Sequence, residues 1–175
     1  MIDPHAWAGA PFTYPEVGAT ASTPPADAHA IVVERVVGAG RTDFATSAEF
    51  ILAYGMQRGA GLRVHASTPA AAVGTIMVMS APAFGRIRIP CRVVYVLDEP
   101  DRAGFAYGTL AGHPESGEEL FSVEHRADDS VVAVIRAFSR PGRWYTRLGG
   151  PLVRAVQAAT TRRYLAAVAD AVGAH

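Results

Sequence analysis

The sequence predicts an α+β fold in which a curved antiparallel sheet of about six or seven strands wraps around a long C-terminal helix, with a short helix after the first strand. Three observations lead to this prediction. A valine-rich segment over 29–40 is typical of a strand, further strand segments separated by turn signals follow over 62–139, and from residue 150 the apolar spacing becomes helical. A sheet that packs one face on helices needs one apolar face per strand, which alternation provides.

The first predicted strand is HAIVVERVVGAG (29–40), in which successive side chains point to opposite faces of the sheet. Its glycines end the strand, because glycine permits turn conformations that other residues avoid. Thr42 or Asp43 can then accept hydrogen bonds from free backbone amides and cap a helix that begins at Phe44. The segment AYGMQRGAG (53–61) ends this helix.

Six strand segments separated by turn signals predict the rest of the sheet. In chain order they are LRVHAS, AVGTIMVMSA, RIRIPCRVVYVLDE, FAYGTLA, EELFSVEH and VVAVIRAFS. Proline has no amide to donate to a ladder, so Pro90 predicts a bend or bulge in the long third segment. The short connections EPDRAG and RADDS predict hairpins, and hence an antiparallel meander.

A long helix is predicted from Gly150, because Pro151 suits a first helical turn. Six apolar or aromatic residues make one stripe over about six turns of 3.6 residues, namely Leu152, Val156, Ala159, Tyr164, Val168 and Ala171. A curved antiparallel meander with a long helix across it is the helix-grip arrangement. The space between sheet and helix can stay partly open in such a fold, which predicts a ligand cavity.

The N-terminal residues 1–28 differ in composition from the rest of the chain, with five prolines and many alanines. This composition predicts a proline-rich arm or linker. Residues 29–175 are then a single helix-grip domain, a size that allows one hydrophobic core. An alternative to a linker is that the arm docks on a partner protein or on a second copy of the chain. The second case gives a homodimer.

Composition and charge exclude several functions. The 16 basic residues, all of them arginine, balance 16 acidic ones. The chain therefore has no excess of positive charge that would indicate binding to nucleic acid. Schiff-base chemistry needs a lysine, which the chain lacks. With a single cysteine, an intramolecular disulfide and a cysteine-rich zinc site are excluded, and the six histidines show no paired metal spacing. No cofactor or metal is therefore expected.

The sequence shows neither a signal peptide nor a membrane-spanning segment. Its start lacks the basic and apolar regions of a signal peptide, and no apolar run approaches the roughly 18 residues of a membrane span. A soluble protein of the cytoplasm is therefore expected.

Several motifs together carry a resemblance to a known family. They are YPEVGAT (14–20), RVVYV (92–96), GTLAGHPESGEELF (108–121), AFSRP (137–141), and the C-terminal GP, Arg154, Gln157 and RRY (162–164). On these motifs the chain resembles an uncharacterised family, the domain of unknown function 1990. The family implies no reaction. The strand order is also similar to that of the helix-grip superfamily of lipid-transfer proteins, plant allergens and polyketide cyclases, which implies an apolar ligand cavity.

Side chains alternate between the two faces of a strand, and this alternation places the glutamates of EELFSVEH on opposite faces. Phe121 and Val123 mark the apolar face of this strand, so Glu119 and His125 are predicted to point inward with them. Glu118 and Glu124 are predicted to point outward. A carboxyl group or an imidazole in a partly apolar cavity has a shifted pKa, which makes Glu119 the preferred acid or base. A structural ion pair between Glu119 and an arginine is the alternative.

Parity also selects candidates on the neighbouring strands. Tyr107 and Thr109 share a face with Phe105, and both could hydrogen-bond a ligand if that face is the inner one. Tyr95 shares a face with Cys91, and the cysteine is interpreted as a small core residue rather than a nucleophile. An ordinary aromatic core position is the alternative for Tyr107.

Arg140, Arg154 and Gln157 are the candidates at the end of the last strand and on the long helix. Either arginine could pair with Glu119 and fix the helix to the sheet, or hold a carboxylate of a ligand. The hairpin residues His113 and Glu115 build a turn, or else form an acid–base pair at the cavity mouth.

The sequence therefore predicts a protein that binds a small, largely apolar organic molecule between the sheet and the C-terminal helix. The second hypothesis is a cofactor-independent cyclase, dehydratase or isomerase in which Glu119 is the acid or base, with Tyr107 or His125 positioning the substrate. The third is a protein-interaction module. Predicted ligand contacts are Thr109, Tyr95, Arg140, Arg154 and Gln157.

Overall fold

A computed structural model describes residues 2–81, 87–141 and 150–173, without the side chains of 141 and 150–154. In these ranges it has seven strands and three α-helices. In chain order they are β1 (His29–Ala39), α1 (Gly40–Leu52), α2 (Gly55–Gly59), β2 (Arg63–Ala66), β3 (Ile76–Ser80), β4 (Arg88–Glu99), β5 (Arg102–Thr109), β6 (Glu115–His125), β7 (Ser130–Pro141) and α3 (Gly150–Val172).

All seven strands form one antiparallel sheet with the order β1-β7-β6-β5-β4-β3-β2. Consecutive strands from β2 to β7 are neighbours, and β1 closes the order beside β7. The predicted α+β fold, with its meander and its long C-terminal helix, is confirmed. We call the sheet face that packs on the helices the inner face and the opposite one the outer face.

The main hydrophobic core lies between the inner face and the helices. Aromatic rings fill its centre, where Phe121 meets Tyr164 of α3 edge-to-face with ring centroids 5.3 Å apart. Phe105 meets Tyr54 in the same manner at 5.7 Å. Because buried aromatic pairs add specific ring contacts to their large buried area, they fix α3 and the connection between α1 and α2 on the sheet.

The N-terminal segment packs on the outer face of the sheet. Phe12 forms an isolated antiparallel bridge with Leu110, which follows β5. A second, smaller apolar cluster surrounds this bridge and contains Ile2, Trp7, Ala10, Phe12, Ile76, Val78 and Leu110. Tyr14 is buried, and Gly108 beneath it leaves room for its hydroxyl. A domain boundary at residue 28 stays a prediction, although the preceding residues contact the sheet directly.

The first helix begins at Gly40, four residues earlier than the predicted start at Phe44. The Asp43 carboxylate does not cap a later helix. It reaches back to the Ala39 amide at 2.8 Å and so satisfies a backbone donor that precedes the helix. The prediction also missed α2, which is separate from α1 because Tyr54 between them has a positive φ of 62°.

Two further boundaries differ from the prediction and affect the candidate site. The irregularity in β4 lies at Val94, not at the predicted Pro90: Val93 pairs with Tyr107 and Tyr95 with Ala106, which leaves Val94 without a partner. Strand β6 begins at Glu115, three residues before the predicted strand. The bulge turns Tyr95 to the outer face, and the early start puts Glu115 in the sheet.

Candidate functional site

The two adjacent glutamates of β6 have different surroundings. Glu119 lies on the inner face with Phe121, whereas Glu118 lies on the outer face under the N-terminal segment. The prediction that Glu119 points inward agrees with this placement. The prediction that Glu118 points outward is correct in direction, but Glu118 is only 2% exposed because residues 14–20 cover it.

Glu119 lies between two neighbouring strands on the inner face. Its partner on β5 is Tyr107 and its partner on β7 is Ala137. The Tyr107 hydroxyl donates a hydrogen bond to Glu119 Oε2 at 2.8 Å. Tyr164 of α3 is close enough for its hydroxyl to interact with both Tyr107 and Glu119. The inner face therefore carries a carboxyl group flanked by two phenolic hydroxyls.

Burial has the largest effect on the pKa values of the three ionisable groups in this cluster. The pKa of Glu119 is raised to about 7: loss of water raises it most, the hydrogen bond from Tyr107 lowers it, and the charge of Glu115 adds a smaller increase. Burial also raises the pKa values of Tyr107 and Tyr164 well above their usual value. At neutral pH both phenols are hydrogen-bond donors, and the carboxyl group can give or take a proton.

The Glu119 side chain lies deep in the protein but is still partly accessible to solvent. The residue lies in the interior of the protein, yet it keeps an intermediate accessible surface, as does Ala137 opposite to it. Tyr107 on the other side is only 5% exposed. Tyr107 is therefore closely covered, whereas Glu119 and the adjacent Ala137 keep some accessible surface.

Glu115 joins the beginning of β6 to the C-terminal helix. The Gln157 Nε2 group donates to both carboxyl oxygens of Glu115, at 2.6 and 2.7 Å. Burial raises the pKa of Glu115, and hydrogen bonds from Ser139 and Gln157 oppose this effect. The interpretation of Glu115 as a turn residue is thus corrected, since β6 already includes it. His113 binds the Glu115 backbone through Nδ1.

Among the predicted catalytic residues, Tyr107 lies with Glu119 and His125 does not. His125 is six residues farther along β6, about 20 Å at the usual strand rise. Its Nε2 lies 2.8 Å from Asp129 and its ring packs near Phe44 at the opposite end of the strand. The structure therefore separates His125 from the Glu119 cluster.

The predicted ligand contacts Tyr95 and Thr109 both bind the N-terminal segment. Tyr95 lies on the outer face because of the bulge at Val94, and its hydroxyl is 2.8 Å from that of Thr20. The Thr109 hydroxyl bonds with the Thr13 hydroxyl and accepts the Gly117 amide. Both hydroxyls thus have partners within the protein.

One of the two arginines predicted to pair with Glu119 has other partners. Arg140 binds Glu16 at 2.9 Å and Asp27 at 2.5 Å, and so holds the N-terminal segment at the end of β7. These carboxylates raise the pKa of Arg140. Arg154 lies in α3, but its side chain is outside the described part of the structure. Gln157 is oriented toward Glu115 rather than Glu119.

Sequence reasoning missed the role of Glu118. Its carboxyl group accepts hydrogen bonds from the Tyr14 hydroxyl at 2.7 Å, the Gly18 amide at 2.7 Å, and both the amide and the hydroxyl of Thr20. The donors all lie in the motif YPEVGAT, so the joint presence of this motif and the GEE motif was the available signal. Glu118 is the anchor of the N-terminal segment.

Other features of the described structure lie apart from this cluster. An open groove of about 720 Å³ separates α2 from the C-terminal half of α3, and small side chains such as Ala60 and Ala167 line most of it. In the described part of the chain, no group of three or more acidic, histidine or cysteine side chains could hold a metal ion. None of the helices in residues 2–81, 87–141 and 150–173 is long and apolar enough to cross a membrane.

The residues that build both faces of β6 lie in a region that matches a known family. Residues 13–167 match the family described as domain of unknown function DUF1990. The chain belongs to this family. The match begins at Thr13, so the DUF1990 region includes most of the segment that Glu118 anchors as well as the Glu119 cluster.

Curated relatives of this DUF1990 chain are known from distant organisms. A UPF0548 protein of Deinococcus radiodurans is 38% identical over 123 residues, which cover 64% of this chain and 62% of the relative. A UPF0548 protein of Arabidopsis thaliana is 35% identical over 94 residues, covering 50% and 46%. The chain thus spans about half to three fifths of the length of these relatives.

Solved structures with low sequence identity share the fold. A hypothetical protein from Helicobacter pylori aligns with a TM-score of 0.67 at 9% identity, covering 91% of this chain and 95% of that one. Norcoclaurine synthase from Thalictrum flavum aligns with a TM-score of 0.57 at 16% identity, covering 93% and 94%. At such identities the likeness establishes the helix-grip fold of the DUF1990 chain and nothing about its activity.

Proposed function

We propose that this DUF1990 chain binds a small, largely apolar organic molecule between the inner face of the sheet and α3. The observation that carries the proposal is Glu119, a carboxyl group deep in the protein that still keeps accessible surface. A charged or ionisable group is rarely buried without a structural partner, and Glu119 bonds only to the Tyr107 hydroxyl among the described residues.

The packing of the inner face supports a position for the ligand. Toward the C-terminal end of α3, rings such as Phe121 and Tyr164 are in contact and buried. Toward its N-terminal end, Glu119 and Ala137 are less tightly covered, and Gln157 joins the helix to Glu115 at the beginning of β6. We place the ligand between these two levels, with its polar end at Glu119.

An enzyme is the second candidate, and the pKa of Glu119 favours it. A carboxyl group with a pKa of about 7 can donate or accept a proton at neutral pH, as a cofactor-independent cyclase, dehydratase or isomerase requires. Tyr107 would position a substrate oxygen through its hydroxyl. One protein with the same fold is by its name a synthase, so the fold is compatible with catalysis. His125 has no place in this version because it lies at the other end of β6.

An interaction module is the third candidate and has less support. Residues of the N-terminal segment bind Glu118 and Arg140 of the sheet in the same chain. Their side chains therefore already have partners and are not free to bind another protein. A homodimer and a location in the cytoplasm remain parts of the proposal that rest on the sequence alone.

Filling the proposed site should separate ligand binding from stability. We expect Ala137→Phe to weaken binding of an apolar fluorescent probe such as anilinonaphthalene sulfonate at least about tenfold, because the new ring occupies space beside Glu119. The free energy of unfolding should change by less than about 1 kcal/mol, since a cavity accepts the added atoms without strain. Probe titration and urea unfolding measure the two effects.

The matched control is Ala30→Phe on the neighbouring strand β1, where the alanine is exposed. This variant should bind the probe as the unmodified protein does. If Ala137→Phe instead lowers stability by several kcal/mol, as overpacking of a filled core does, the proposed space between sheet and helix does not exist.

A further inference from the structure

We propose that the ligand of this site carries a basic nitrogen, and that its protonated amine binds the Glu119 carboxylate. The inference rests on the proposed function and adds the chemical class of the ligand. It follows from the charges on the inner face, from the Glu119 oxygen that has no described partner, and from the aromatic rings beside it.

Two carboxyl groups of β6 lie on the inner face in the described part of the chain. Glu115 and Glu119 have the same parity on β6 and lie about 14 Å apart along the strand. Each carboxyl group has its pKa raised by burial, and the charge of Glu115 acts on Glu119. In the described part of the chain no arginine or histidine forms an ion pair with either, although His29 has a weak favourable effect on Glu115.

One oxygen of Glu119 has no hydrogen-bond partner among the described residues. Oε2 accepts the Tyr107 hydroxyl, whereas Oε1 accepts no hydrogen bond from any described residue. The titratable groups that act on Glu119 from the surrounding elements are Tyr107 of β5, Cys91 of β4, Glu115 of β6 and Tyr164 of α3. None of these described groups is a cation, so we assign the positive charge near Oε1 to the ligand.

Aromatic rings favour the same ligand charge. Tyr107 and Phe121 lie with ring centroids 5.2 Å apart beside Glu119, and Tyr164 packs on Phe121 from α3. Ring faces attract a cation, most strongly where water is excluded. A protonated amine would thus gain a charge-assisted hydrogen bond and ring contacts, while a ligand carboxylate would meet two acidic groups. Arg140, which could otherwise receive such a carboxylate, is bound to Glu16 and Asp27.

Three probes with the same apolar body test this assignment: naphthylmethylamine, naphthylmethanol and naphthoic acid. Isothermal titration at pH 8 should show the amine binding about tenfold or more tightly than the alcohol, because a hydrogen bond to a charged group exceeds a neutral one in strength. The preference should decrease at pH 5.5, where Glu119 is protonated. Glu119→Gln should abolish the preference while keeping the affinity for the alcohol, and Glu49→Gln on the exposed side of α1 should preserve it.

The three probes also separate this inference from the proposed function. If the alcohol binds as tightly as the amine, or if the acid binds best, the ligand is not an amine although the apolar site exists. If no probe binds, the proposed function fails and the inference fails with it. If Glu119→Gln keeps the full preference for the amine, the amine binds elsewhere and the assignment to Glu119 is wrong.

Discussion

Replacing Glu118 by alanine is expected to lower the free energy of unfolding by about 3 to 5 kcal/mol. The change removes the acceptor of four hydrogen bonds and leaves buried donors from Tyr14, Gly18 and Thr20 without partners. A buried donor that loses its partner costs about 1 to 3 kcal/mol, and water that enters the space recovers part of the sum. Urea unfolding monitored by circular dichroism gives the difference.

The matched control for this prediction is Glu124→Ala, which makes the same change on the same strand and the same face. Glu124 is partly exposed and lies 3.5 Å from Arg126 at the surface, so its loss should cost less than about 1 kcal/mol. Equal losses in the two variants would mean that the N-terminal segment contributes nothing to the stability of the sheet through Glu118.

Replacing Glu119 by glutamine is expected to have the opposite effect, a gain in stability at pH 8. Burial raises the pKa of Glu119 from 4.5 to about 7, so the folded chain holds this proton more tightly than the unfolded chain. Stability from this group is complete below pH 4.5 and is lost as pH rises through 7. Glutamine has no such dependence and can still accept the Tyr107 hydroxyl.

The expected gain of Glu119→Gln at pH 8 is up to about 3 kcal/mol, less whatever water in the interior screens. It should decrease steadily between pH 7 and pH 4.5 and vanish below. Urea unfolding at several pH values measures it, with the partly exposed Glu124→Gln as a control that should stay within about 0.5 kcal/mol. An ion pair between Glu119 and an arginine would reverse the sign, because glutamine would then destabilise the protein at pH 8.

The architecture could be predicted from the sequence because its signals are local. Alternation along each strand and the helical stripe from residue 150 depend on neighbours within a few residues. The same alternation placed Glu119 on the inner face, since Phe121 and Val123 fix the parity of β6. The role of Glu119 in a ligand site stays a prediction.

Parity failed where a strand is irregular. The sequence grouped Tyr95 with Cys91 on one face, but the bulge at Val94 reverses the alternation after it. Proline marks an expected irregularity, which is why Pro90 was chosen, whereas a valine in a bulge has no such marker. The start of β6 at Glu115 was missed for a similar reason, because the glycine and proline that precede the glutamates indicate a turn.

The surroundings of Glu118 could not be predicted because they depend on a distant segment. Its partners Tyr14 and Thr20 lie 104 and 98 residues away in the chain. An outward position on a strand usually means solvent, and a proline-rich segment usually means a linker. Both rules fail together here, since the N-terminal segment covers the outer face and supplies the donors that the carboxyl group needs.

The central claim, a ligand site beside Glu119 between the sheet and α3, is tested most directly by a crystal structure of the protein with naphthylmethylamine. We predict electron density for the probe between Ala137 and α3, with its nitrogen within hydrogen-bond distance of Glu119 Oε1. Continuous side-chain packing from Tyr107 to Gln157, with no space for the probe, would contradict the claim.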